Sequence, residues 1–205
     1  MGSGANGLAG VKLHPMRHSR GFTLVELLVV VTIAAILMAL AVPSFSRLIQ
    51  STNISSSVNT FLADIRFARS ESIRLGGGVV MCRSSSPEAA TANCGTGSTQ
   101  GWESGWIIFH DLNNSGTRTS SGSDPEPLLR VQAPITAIDA IYETGAATTF
   151  RFTATGRLQN LSGATKIQFG SNSLFTDDVQ RVLCINLSGR ARIAGNGTAT
   201  CTTDN

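Results

Sequence analysis

Phe22 to Val42 reads FTLVELLVVVTIAAILMALAV, a run of 21 residues whose only charge is Glu26 and whose only other polar residues are Thr23 and Thr32. As a helix rising ~1.5 Å per residue, it is long enough to cross the ~30 Å hydrocarbon core of a bilayer. A soluble core helix apolar on every face over this length would need more protein around it than one small domain supplies. Ahead of the run stand Lys12, Arg17 and Arg20 with His14 and His18, and no acidic residue. The positive-inside rule therefore keeps residues 1–21 in the cytoplasm and exports the rest. A secretory signal peptide has the same order of parts, but its apolar core is about 7–15 residues long and ends in a small-residue cleavage site. This run is longer and ends in Pro43-Ser44-Phe45.

Glu26 is out of place, because an ionised carboxylate within the apolar run costs at least ~2.5 kcal/mol unless something compensates it. A cut between Gly21 and Phe22 would set a new α-amino group one helical turn away, in the same chain or in a neighbour's. The string Gly21-Phe22-Thr23-Leu24-Val25-Glu26, behind a short basic leader and ahead of an unbroken apolar helix, resembles the class III signal of type IV pilins and type II secretion pseudopilins. The resemblance implies that a prepilin peptidase removes the leader 1–21 and that Phe22 is then N-methylated. It gives Glu26 a role in docking the subunit onto other pilins or pseudopilins. It also implies a single-pass inner-membrane protein with its head in the periplasm, which enters a pilus or pseudopilus on assembly.

Beyond this transmembrane or filament-core helix (22–42), residues 43–75 read as an amphipathic helix continuing into the head. Val58, Phe61, Leu62, Ile65, Ala68, Ser72 and Leu75 follow the i, i+3, i+4, i+7 rhythm, and the other face holds Asp64, Arg66, Arg69 and Glu71. Pro43 predicts a kink or an unwound stretch, and the Ser-rich segment 51–57 predicts fraying. Gly76-Gly77-Gly78 ends the helix. The remainder, 76–205, alternates short β-like runs with turn residues: Val79–Cys82, Trp106–Phe109, Leu128–Val131, Ile135–Tyr142, Thr149–Thr153, Lys166–Phe169, Arg181–Leu187 and Arg190–Ala194. The fold class is α+β, a long helix packed on antiparallel sheet with polar outer faces in water, which matches the type IV pilin fold. Segments 84–101 and 113–127 read as surface loops.

The whole chain of 205 residues is 14% charged, against ~25% for an ordinary soluble protein. The formal charge of +3 comes from the leader, since 13 basic and 13 acidic residues follow Gly21. Any anion-binding role must therefore rest on a local patch. Four cysteines in an exported chain indicate two disulfides with three connectivities open. Cys82 with Cys94 and Cys184 with Cys201 is favoured, because each pair closes a loop that would otherwise be loose. Zinc is the rival, but the Cys-x2-Cys spacing is missing and two of the three histidines lie in the leader. Asp111-Leu112-Asn113-Asn114-Ser115-Gly116 resembles the start of an EF-hand loop, yet the twelfth position is Gly122 rather than a bidentate glutamate. It reads as a turn, and no metal or other cofactor is called for.

Gly105-Trp106-Ile107-Ile108-Phe109, Leu128-Leu129-Arg130 and Phe152-x-x-x-Gly156-Arg157 are similar to the GspH/FimT branch of the pilin-like proteins. Near the C-terminus, Ser188-Gly189-Arg190-Ala191-Arg192 follows a strand. Arginines two apart in an extended segment point to one side about 7 Å apart, close to the spacing of successive phosphates on a nucleic-acid strand. Guanidinium groups bind phosphate through paired hydrogen bonds. The Gly-Arg-x-Arg pattern looks like the DNA-binding tail of FimT-type minor pilins, which take up DNA in natural transformation, and this implies that Arg190 and Arg192 contact the phosphates of double-stranded DNA. The local excess of basic residues adds Arg181 to them, and with no aromatic interleaved the binding is expected to be independent of sequence. The plainer alternative is a pair of solvated arginines that protect an edge strand from pairing. A GspH-like pseudopilin of the type II secretion system is the other function the pattern allows. An enzyme has no support: His110 is the one histidine outside the leader, and no motif sets a nucleophile beside it.

Overall fold

Thr23 starts the long helix α1 (Leu24–Leu75). Its Oγ1 accepts the amide of Glu26 at 3.2 Å and its carbonyl accepts the amide of Leu27 at 3.1 Å. This is one half of a capping box, and it places the acid of Glu26 in the first turn, where the helix dipole favours negative charge. The computed structural model describes residues 21–95, 101–159, 161–171 and 173–202, without the side chains of Leu40, Val42 and Pro43. Residues 1–20, which hold the basic residues of the expected leader 1–21, lie outside the described residues.

The chain divides into two units, Met1–Pro43 and Ser44–Asn205. In the first, the apolar side chains are exposed, Leu24 at 78% and Met38 at 65% among them. The segment is long and apolar enough to cross a membrane, with mean hydropathy 2.8 over 18 residues. α1 continues through Pro43 with no unwound turn, although a proline inside a helix removes one backbone hydrogen bond.

In the second unit the Ser-rich segment does not fray. Thr52 Oγ1 donates to the Leu48 carbonyl at 2.9 Å, Ser57 Oγ to Asn53 at 2.8 Å and Thr60 Oγ1 to Ser56 at 3.0 Å. The hydroxyls thus bond back to the preceding turn instead of competing with it, while Ile54 and Val58 are buried in the core. The helix ends at three glycines of positive φ, Gly76, Gly77 and Gly78, and the Gly77 amide closes on the Ser72 carbonyl at 2.7 Å.

Eight strands follow: β1 (Val79–Arg83), β2 (Trp106–His110), β3 (Leu128–Gln132), β4 (Ile141–Glu143), β5 (Thr149–Phe152), β6 (Thr165–Phe169), β7 (Arg181–Ile185) and β8 (Ala191–Gly195). They form two four-stranded sheets of order β3-β2-β1-β5 and β4-β6-β7-β8, antiparallel throughout. Of the run Ile135–Tyr142 only its end is a strand. The rest is spent on other loops, the Ile135 amide bonding the Glu103 carbonyl at 2.8 Å and Asp139 accepting the Ser171 amide at 3.1 Å.

Phe61 of α1 joins the two sheets. Its ring meets Trp106 at 5.0 Å and Phe150 at 6.4 Å on the first sheet, and Phe169 at 5.7 Å on the second, each edge to face. Ile54, Val58, Leu62, Ile65 and Ala68 complete the helix's contribution to one core. Asp64, expected on the polar face, is instead buried at 4% exposure. Its carboxylate accepts Trp106 Nε1 at 2.8 Å and Arg130 Nη1 at 2.6 Å, so its charge is compensated inside the core.

The outer face of the first sheet also departs from expectation. Val80, Cys82, Ile107 and Phe109 on that face are buried in a second cluster with Ala92. The segment after β1 folds back over them, fastened by the disulfide Cys82–Cys94. A second disulfide, Cys184–Cys201, ties the C-terminal tail to β7. These are the two favoured pairings.

Candidate functional site

The β7–β8 turn is built from Asn186-Leu187-Ser188-Gly189-Arg190. The Gly189 amide bonds the Asn186 carbonyl at 2.9 Å, and the Asn186 amide bonds the Arg190 carbonyl at 3.0 Å. The Asn186 side-chain oxygen accepts both the Ser188 hydroxyl at 2.6 Å and the Arg190 amide at 3.0 Å. Asparagine at the head of a turn and glycine in its left-handed position (φ +73°) are what this geometry asks for. A β-carbon at Gly189 would lie 2.0 Å from the carbonyl oxygen of Gly156, so no larger residue fits there.

That contact brings together two motifs far apart in sequence, Phe152-x-x-x-Gly156-Arg157 and Ser188-Gly189-Arg190. Arg69 of α1 binds them both: its Nε donates to the Gly156 carbonyl at 3.2 Å. Its side-chain carbons pack against Gly156 and Gly189, within 3.0 and 3.2 Å of where their β-carbons would stand. Between α1 and the turn runs a groove of about 360 Å³ lined by Arg66, Arg69, Ser70, Ile73, Gly189 and Arg190, with no carboxylate and no aromatic ring in its wall. On the other side of the turn a smaller groove, about 210 Å³, is lined by Arg157 and Ser188.

The three C-terminal arginines do not form one cluster. Arg190 is exposed at the turn, and Arg192, partly buried, stands on β8 opposite Cys184. Ala191 packs toward the core and Arg190 lines the groove against α1, whereas Arg192, opposite Cys184, is not in that groove's wall. Arg181 begins β7, four residues (~13 Å) from the turn, and its Nη1 is held by the carbonyls of Asp178, Val179 and Gln180 at 2.7–3.0 Å. It closes off that end of the strand rather than joining the pair. The guanidinium groups of Arg66, Arg157, Arg190 and Arg192 make no hydrogen bond or ion pair with the described residues, and the Nε of Arg192 is buried without a partner. Arg74, close by on α1, is different: it pairs with Glu71 at 2.5 Å, and that bond holds the Glu71 carboxyl below and the Arg74 guanidinium above their ordinary ranges.

The sequence offered one signal for the helix arginines. Neither Arg66 nor Arg69 has an acidic residue three or four positions away, the spacing at which helical ion pairs form. It offered none for their meeting with Arg190.

The Asp111 loop is structural. Asp111 is buried, its two carboxylate oxygens accept the amides of Ser115 at 3.1 Å and Gly116 at 2.8 Å, and Arg151 stands 3.5 Å away. Buried Glu126 takes the amides of Leu112 at 3.0 Å and Thr119 at 2.7 Å. The oxygens an EF-hand would turn toward a cation are engaged by the backbone. His110, at the end of β2, pairs with Val79 in the ladder. At the other end of the chain, the Gly21–Phe22 bond precedes the first helical residue, and Phe22 is exposed.

Comparison with known proteins bears on both ends. A family model described as type II transport protein GspH matches residues 57–189, and a model of the prokaryotic N-terminal methylation motif matches residues 16–42. A crystal structure of the Pseudomonas aeruginosa type IV minor pilin FimU is similar in fold, with TM-score 0.52 at 20% identity over 74% of this chain and 96% of that one. A second crystal form of FimU aligns with TM-score 0.49 at 21% identity, over 73% and 98% of the two chains. No curated protein matches the chain in sequence.

Proposed function

Because the chain belongs to the GspH family, whose fold is that of pilin-like structural proteins, we propose that it is a minor type IV pilin subunit whose C-terminal arginines bind double-stranded DNA. The N-terminal methylation motif implies processing by prepilin peptidase and assembly with other pilins. In this reading the cut falls between Gly21 and Phe22, Phe22 is methylated, and Glu26 meets the new amine inside the membrane. The head lies in the periplasm until the subunit enters the pilus.

The observation that carries the DNA reading is the pair Arg190 and Arg192. They stand two residues apart where the β7–β8 turn enters β8, with guanidinium groups that make no hydrogen bond or ion pair with the described residues. Structural arginines in this head, such as Arg130 and Arg181, are engaged by carboxylate or carbonyl oxygens. Binding through phosphates alone is independent of sequence and sensitive to salt. The test is duplex binding by the full chain in detergent, parent against the double variant Arg190→Gln, Arg192→Gln. Lost binding supports the reading, and undiminished binding at low salt removes it.

A second reading, a pseudopilin of type II secretion, draws on the description of the matching family model. A deletion strain separates the two: loss of transformation favours the pilin, and exoproteins trapped in the periplasm favour the pseudopilin.

A further inference from the structure

We propose that the groove between α1 and the β7–β8 turn seats a stretch of the DNA backbone, with Arg66 and Arg190 as phosphate contacts and Arg69 as the residue that positions the turn. The proposal rests on the DNA-binding reading above and extends it from the C-terminal tail to the helix. Three arginines from two distant parts of the chain line this one groove, and no acid offsets them. Arg66 and Arg190 have no partner among the described residues. Arg69, by contrast, is fixed by the Gly156 carbonyl and holds both glycine turns in place.

The shape of the site favours a phosphodiester chain over an acidic protein segment. Arg190 lines the groove, and Arg192 follows two residues on, about 7 Å along an extended chain, a spacing close to that of successive phosphates. Without an aromatic ring in its wall the groove cannot stack bases, which favours a duplex with its bases turned inward over a single strand.

The experiment measures duplex binding by the full chain in detergent as a function of salt. Arg66→Gln is expected to weaken binding about tenfold near 50 mM salt and to lower the slope of log K against log salt by about 0.9, the contribution of one lost phosphate contact. Arg66→Lys should keep the parent slope, and so should Arg74→Gln, which removes the same charge from the same helix outside the groove. An Arg66→Gln chain with the parent slope, while the Arg190→Gln, Arg192→Gln chain has lost binding, overturns this proposal and leaves the function standing. A parent chain that does not bind duplex overturns both. A chain that binds polyglutamate as tightly as duplex, with the same loss in Arg66→Gln, overturns the choice of nucleic acid and with it the proposal.

Discussion

Trp106 donates its indole N–H to the carboxylate of Asp64 at 2.8 Å, a buried bond between β2 and α1. Arg130 of β3 completes the arrangement from the rim, 2.6 Å from the other carboxylate oxygen and with its guanidinium carbon 3.8 Å from the centre of the Phe67 ring. The helix is therefore clamped to the first sheet by a directional contact as well as by packing. Asp64→Ala should strand the indole N–H and the guanidinium together and destabilise the head by roughly 2–3 kcal/mol. Arg130→Ala should cost less, because Arg130 is partly in water. Urea unfolding followed by tryptophan fluorescence checks the order, and an Arg130→Ala chain less stable than Asp64→Ala would contradict it.

Gly189→Ala meets two obstacles, a left-handed backbone and the Gly156 carbonyl. The expected loss is roughly 2–4 kcal/mol. Duplex binding should fall with it even where the chain remains folded, because the turn that aims Arg190 must shift. Gly122→Ala, at a positive φ with open space around it, should show the backbone part of the cost alone and leave binding unchanged.

Replacing Cys82 and Cys94 with serine should lower stability by about 3 kcal/mol, the chain-entropy value for a loop of this length. The flap over Val80, Ile107 and Phe109 should loosen with it. Faster hydrogen exchange at 84–95 and in β1, with exchange in β7 unchanged, is the expected signature.

Stability should respond to pH at both ends of the scale. Asp178, lowered chiefly by a hydrogen bond from Thr176, and Glu71, lowered chiefly by its bond from Arg74, are carboxyls depressed in the folded state. Their contributions are present above the unfolded value near pH 4 and fade as the pH falls through the folded value. Burial, then the charges of Asp177 and Asp139, push the Tyr142 phenol up. Its contribution is present below about pH 10 and is lost as the pH rises beyond that. Tyr142→Phe should therefore lose less stability than the parent above about pH 10 and match it in acid, as read from urea midpoints.

Much of this architecture is visible in the chain itself. Seven of the eight strands coincide with β-like runs bounded by turn residues to within a residue or two, as Val79–Arg83 and Thr149–Phe152 illustrate, whereas β4 keeps only the end of the run Ile135–Tyr142. Asp64 shows where such a reading fails. It follows Phe61 by three positions and precedes Ala68 by four, so its place lies within the buried stripe, yet a carboxylate is tolerated there only because Trp106 and Arg130 arrive from other strands. Glu126 is similar, its amide partners at Leu112 and Thr119 being chosen by the loop's path. Arg190 and Arg192 announce themselves by spacing, whereas the approach of Arg66 and Arg69 to the turn depends on how the second sheet lies against α1. Arg181 looked like a third member by composition, and the ladder register puts it at the other end of β7.

Arg69, Gly156 and Gly189 fill one another's space so closely that none is free to drift alone. In descendants of this gene the three positions should be inherited or replaced as a set, and a mutational scan should find them epistatic, each tolerant of change only against an altered background at the other two.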